Sequence, residues 1–153
     1  MTTAERVDEI ATMLNRRQWR PTDDEQRVGV DVLRRRREAT AHVDREPATG
    51  RTTAEVLGLL TDFVHVVDRE ILPTARTTLG ASPMVELIEA WADKLRTLVP
   101  YAERMRPLLE PGGDLTEYDV LTPEEGDAVH DAWGPIIAVG SVLTAAVTGN
   151  VDH

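Results

Sequence analysis

Two short segments of the sequence share the pattern Asp-x-Val-His, one from Asp62 to His65 and the other from Asp127 to His130. Residues three apart share a face of a helix, and di-iron helical bundles use a Glu-x-x-His pair twice to hold metal. Those bundles also need a Glu from each of two other helices, with all ligands directed inward. Here the helical period of about 3.6 residues turns both pairs away from the apolar stripe of their helix. We therefore expect both pairs to face solvent and expect no bound metal and no cofactor. If the alternative of a metal-binding protein holds, the candidate ligands are Asp62, His65, Asp127 and His130.

Glu70 is the most unusual carboxylate of the chain. At about 100° per residue, it falls inside the apolar arc of its predicted helix, between Leu59 and Phe63. A carboxylate there must be paired, protonated or located at a helix end that reaches solvent. An ion pair with Arg106 or another arginine is the simpler interpretation. The alternative is a general acid–base role for Glu70, with His65 or His130 as further candidate catalytic residues.

Other catalytic signatures are missing from the sequence. The chain has no cysteine, which excludes disulfides, thiolate metal sites and cysteine nucleophiles. It also has no Gly-rich phosphate loop, no HExxH motif and no Gly-x-Ser-x-Gly elbow. These absences favour a protein that is not an enzyme. The alternative is a helical-bundle enzyme, or a small-ligand or metal-binding protein, that uses Glu70 and a histidine in a polar pocket.

Helix starts are the clearest structural signal in the sequence. The capping box, a threonine followed three residues later by a glutamate, occurs four times, and Ser82-Pro83 adds a fifth start. Apolar residues recur at helical spacing behind each start, and no alternating strand pattern competes with them. We predict an all-α bundle of five helices that forms one domain over residues 1–153. The four capping boxes are Thr2–Glu5, Thr22–Glu25, Thr52–Glu55 and Thr122–Glu125.

Prolines and one loop interrupt this helical pattern. Pro73, Pro100 and Pro135 fall inside predicted helices, where the missing N–H group predicts kinks. Residues 110–121 are predicted to form the main internal loop, with a short extended piece over residues 118–121.

Charge is unevenly distributed along the 153 residues, which carry a net charge of −10. Residues 1–51 hold eleven arginines and ten acids, whereas no basic residue follows Arg106. The run Arg34-Arg35-Arg36-Arg37 does not predict nucleic-acid binding, because four consecutive helical residues point in four directions. We expect these arginines to pair with the acidic segment after Arg106, in the same chain or in a neighbouring one.

The last predicted helix is strongly apolar. Residues 132–151 contain no charged side chain, and twenty residues are enough to span a bilayer. Gly, Pro, Ser, Thr and Asn dilute this segment and no positive residue flanks it, so we do not expect a membrane span. We expect a helix buried on all sides. Small residues at Ser141 and Ala145, four apart, would let another helix approach closely.

Together these features favour a non-enzymatic helical interaction or assembly protein, which associates with itself or docks into a larger complex. The N-terminus lacks the apolar core of a secretory signal, and we expect a cytoplasmic protein. The sequence does not define a small-molecule ligand.

Overall fold

Helices begin close to the residues that the capping patterns predict. The Thr2 hydroxyl accepts a hydrogen bond from the Glu5 backbone N–H at 3.1 Å. The capping boxes at Thr22 and Thr122 are complete, because each threonine and the glutamate three residues later bond reciprocally. The third helix instead begins at Gly50, two residues before the predicted cap residue Thr52.

The computed structural model describes residues 2–41, 50–110 and 115–148. These ranges contain helices and turns and no strand, so the predicted all-α class is confirmed. The helices are α1 (Thr3–Asn15), α2 (Asp23–Ala39), α3 (Gly50–Val66), α4 (Leu72–Leu79), α5 (Pro83–Arg96), α6 (Val99–Met105), α7 (Glu117–Val120) and α8 (Pro123–Thr148), with a π turn over Val67–Ile71 and a 3-10 turn over Arg106–Leu109.

Prolines shape two of the five predicted helical units. A π turn, whose hydrogen bonds run from i+5 to i, joins α3 to α4 immediately before Pro73, and the unit continues without a break. This wider turn accommodates a residue that has no N–H group and whose ring crowds the preceding turn. At Pro100 the chain does break, into α5 and α6, with turn residues at Thr97 and Leu98. Helix α8 continues through Pro135.

The loop predicted over residues 110–121 is partly helical. Residues 111–114 lie outside the described ranges, but Glu117–Val120 form the single helical turn α7. The expectation of an extended piece over residues 118–121 is therefore wrong. The Asp119 carboxylate accepts a hydrogen bond from the Thr116 backbone N–H at 2.7 Å, and this local bond favours the turn.

Helix α5 lies at the centre of the bundle and contacts α1, α2, α3, α4 and α8. Its side chains Leu87 and Ile88 are fully buried. Trp91 packs edge-on against Phe63, with 5.8 Å between the ring centroids. One hydrophobic core therefore joins elements from α1 to α8.

Helix α8 buries one face and exposes the other, so the expectation that it is buried on all sides is wrong. In its most apolar window of eighteen residues, 22% of the residues are buried. Gly29 of α2 allows close approach on the inner side, because a Cβ atom there would lie 2.5 Å from Val147 Cγ2. A Cβ atom at Gly140 of α8 would make an ordinary contact, 3.6 Å from Trp91 Nε1. The buried side chains of α8 are Val129, Ile136, Val139, Leu143 and Ala146.

Candidate functional site

The exposed side of α8 carries no charged side chain from residue 132 to residue 148. We define the outer face of α8 by Gly134, Ile137, Ser141, Thr144 and Thr148, all of which are exposed. The face is about 21 Å long at 1.5 Å per residue. Ile137 is 63% exposed, more than any other large hydrophobic residue in the described ranges. A single exposed apolar side chain is common on protein surfaces, so the absence of charge along the strip around Ile137 is what makes this face a candidate contact surface.

One hydroxyl group on the outer face is satisfied within its own helix. The Thr144 hydroxyl donates to the Gly140 carbonyl oxygen at 2.8 Å and so satisfies its donor within the helix. Ser141 lies on the outer face, whereas Ala145 is half-buried at its edge. The two residues expected to admit a neighbouring helix thus differ in access. The other residues that define the face, Gly134, Ser141, Thr144 and Thr148, are all small.

The two Asp-x-Val-His pairs are exposed, in agreement with the helical period. Asp62 and His65 line a groove between α3 and α6, and neither Asp127 nor His130 lines that groove. Among the residues that the structure describes, no three histidine, aspartate or glutamate side chains are close enough to hold a metal ion. Asp62 and His65 thus lie beside a groove, and Asp127 and His130 lie outside it.

Glu70 does not lie in the apolar arc where the helical wheel places it. Its side chain is 65% exposed, and Glu70 Oε2 lies 3.2 Å from Arg35 Nη1. The cause is the π turn over Val67–Ile71, since about 100° per residue no longer applies where the helix widens. Arg106, the other expected partner, lies 2.8 Å from Glu103 instead.

The arginine run is divided among local partners. Arg34 Nη2 lies 2.6 Å from Asp31 Oδ1, and Arg35 contacts both Asp31 and Glu70. Arg36 donates to the Thr40 hydroxyl at 3.2 Å, and burial lowers the pKa of its guanidinium. Arg37 is exposed. In the described ranges, the ion pairs of this run thus stay on the α2–π-turn side of the bundle.

Among the described residues, the acidic segment after Arg106 forms its ion pair with Arg104 and not with the arginine run. Arg104 of α6 pairs with Glu125 and donates to the Val120 carbonyl oxygen at 3.3 Å. Hydrogen bonds from the Thr122 backbone N–H and hydroxyl group, together with Arg104, lower the pKa of Glu125. Our expectation that the arginine run pairs with this segment within the chain is therefore wrong for the described residues.

Two long-range contacts carry no signal in the sequence. Arg6 of α1 holds Glu86 of α5 through two hydrogen bonds of 2.8 Å, and this hydrogen-bonded pair lowers the pKa of Glu86. Glu25 Oε2 accepts a 2.5 Å hydrogen bond from the buried Ser82 hydroxyl, although 57 residues separate the two. The sequence predicts that both Glu25 and Ser82 belong to helix caps. It does not predict that the N-terminal ends of α2 and α5 lie next to each other.

Comparisons of the sequence and the fold with known proteins found no match. No family model matches the sequence, no curated protein matches it, and no solved structure matches the fold.

Proposed function

We propose that the protein is a helical assembly module that associates with a second copy of itself through the outer face of α8. The observation that carries this proposal is the 63% exposure of Ile137, on a helix with no charged side chain from residue 132 to residue 148. Burying this strip against another protein removes apolar surface from water without desolvating any charge.

A protein partner is favoured over a bilayer. By length and composition alone, α8 could cross a membrane. Its buried face, however, packs against α5, α2 and α1, and Leu143 on that face is fully buried. A membrane span would have to give up these contacts and expose the core of the bundle. We therefore infer that α8 stays docked and offers only its outer face.

A second copy suits this face because one large side chain and several small ones lie along the same strip. Ile137 projects, while Ser141 and Thr144 beside it are small. If two α8 helices pack antiparallel about a two-fold axis near Ser141, each Ile137 fits over the small side chains of the other copy. This arrangement also places the acidic ends of the two helices far apart. Asp131 of each copy would lie about 30 Å from its equivalent, beyond the Debye length of about 8 Å.

Size sets the expected strength of this association. One helix face about 21 Å long is smaller than a standard interface, which buries about 800 Å² on each partner. We therefore expect a dissociation constant of tens of micromolar, that is, on the order of −6 kcal/mol. A monomer–dimer equilibrium follows, with monomer dominant in dilute solution.

The test is sedimentation equilibrium over a range of concentrations from about 1 to 500 μM, chosen around the expected dissociation constant. The average mass should rise from 17.0 kDa toward twice that value. Ile137→Glu should keep the protein monomeric, because it places a charge in the centre of the face. Val30→Glu is the matched control, since Val30 is also exposed but lies on α2. A wild-type mass that stays at one chain throughout would refute self-association and leave docking into a different protein.

A further inference from the structure

A separate groove lies between residues 54–65 of α3 and the segment formed by α6 and the 3-10 turn that follows it. Its volume is about 650 Å³, which is within the range of about 300–1,000 Å³ typical of small-molecule sites. Ala54 is buried on its wall, and Leu59, Ala102 and Leu109 are half-buried there. A Cβ atom at Gly58 would meet no other atom within 4 Å, so the α3 backbone is open to the groove at that point.

Charged groups surround these apolar walls and favour a cation. The lining includes the carboxylates of Glu55, Asp62 and Glu103 and one cation, Arg106. Arg106 lies 2.8 Å from Glu103, so these two charges largely offset one another. The whole chain, at −10, adds to the negative potential.

We propose that this groove binds a small organic amine, with the ammonium group beside Asp62 and the hydrocarbon body against Leu59, Ala102 and Leu109. An ammonium donates hydrogen bonds to a carboxylate, and the apolar walls remove the hydrocarbon from water. A carboxylic acid of the same shape would meet a negative rim with only one cation, already paired. This site is independent of the outer face of α8.

The experiment is an NMR titration of the full chain with three probes of equal length: hexylamine, hexanol and hexanoate. Hexylamine should shift the backbone amide signals of residues 58 and 59. The shifts should saturate with a dissociation constant of about 1 mM, as expected for a ligand of seven heavy atoms. Hexanoate should bind at least about fivefold more weakly, because its charge is repelled. Equal affinity for all three probes, or no saturation with hexylamine, would overturn the proposal.

Two pairs of variants locate the binding. Gly58→Leu should fill the groove and abolish hexylamine binding, whereas Gly126→Leu, at another glycine with open space around its Cβ position, should leave it unchanged. Asp62→Asn should weaken hexylamine about two- to fivefold, as for an exposed ion pair. Asp127→Asn makes the same change in net charge outside the groove and should have no effect. Thermal melts of all four variants establish that each one is folded. Hexylamine binding that persists in folded Gly58→Leu, or that falls equally in the two Asp variants, would contradict this site.

Discussion

Replacing Gly29 by alanine tests whether α8 rests on α2 in solution. The added Cβ atom would lie 2.5 Å from Val147 Cγ2 and 3.1 Å from both Cε and Sδ of Met84. Met84 can move because its side chain is flexible, but the β-branched Val147 is stiff at χ1. The helices must therefore separate slightly, or Val147 must leave its preferred rotamer.

The size of the effect follows from two opposing terms. Glycine to alanine inside a helix stabilises by about 0.5–1 kcal/mol, and overpacking a core contact costs about 1–3 kcal/mol. Gly58→Ala provides the reference, since Gly58 is also helical and its Cβ position is open. We expect Gly58→Ala to stabilise, and Gly29→Ala to be about 1–3 kcal/mol less stable than Gly58→Ala. The difference between the two variants isolates the contact with Val147.

Urea unfolding followed by circular dichroism measures these free energies of unfolding, and Val147→Ala together with the double variant Gly29→Ala/Val147→Ala completes a double-mutant cycle. Removing the two Val147 methyl groups makes room for the new one, so the coupling energy should be about 0.5–3 kcal/mol. If α8 left the bundle to enter a membrane or another protein, Gly29 would have no such neighbour. Equal stabilisation by Gly29→Ala and Gly58→Ala would therefore refute the described α2–α8 packing.

Four further variants, one of them a control, test the interior and the Arg6–Glu86 ion pair. Leu143→Asp places an unpaired carboxylate at a fully buried position and should cost about 3–5 kcal/mol in urea unfolding, and a loss below 1 kcal/mol would contradict the buried face of α8. Ser82→Ala removes the cap of α5 and the donor to a buried carboxylate, and it should cost about 1–3 kcal/mol, whereas exposed Ser141→Ala should stay within about 0.5 kcal/mol. Arg6 lowers the pKa of Glu86, so this pair stabilises the fold above the ordinary glutamate pKa and loses that contribution as the pH falls through the lowered value. Glu86→Gln should therefore flatten the acid side of a plot of melting temperature against pH. The pair is partly exposed, so its contribution to the free energy of unfolding should be no more than about 1 kcal/mol. An unchanged slope would show that the pair contributes nothing.

Local signals in the sequence predict much of this fold. The boxes at Thr22 and Thr122 mark true helix starts, because a cap is satisfied by residues within one turn of the chain. The solvent-facing position of Asp62 and His65 also follows from the helical period of α3 alone. These predictions need no knowledge of how the helices pack.

Other features depend on geometry that the linear pattern does not contain. Glu70 is misplaced by a wheel count because the π turn adds width just before Pro73. The Glu25–Ser82 contact and the outer face of α8 depend on which helices become neighbours. Composition identifies α8 as apolar, but only the packing shows that Ile137 is left outside.

Disulfide trapping tests the central claim, self-association through the outer face of α8, most directly. Since the chain has no cysteine, Ser141→Cys introduces one thiol close to the proposed two-fold axis. Thr148→Cys is the control, because antiparallel packing would hold its two copies about 22 Å apart, far beyond the roughly 7 Å limit between Cα atoms for a disulfide. We predict that mild oxidation at about 100 μM gives a covalent dimer of twice 17.0 kDa from Ser141→Cys and little from Thr148→Cys. Failure of Ser141→Cys to cross-link, or equal cross-linking of both variants, would contradict the proposed assembly.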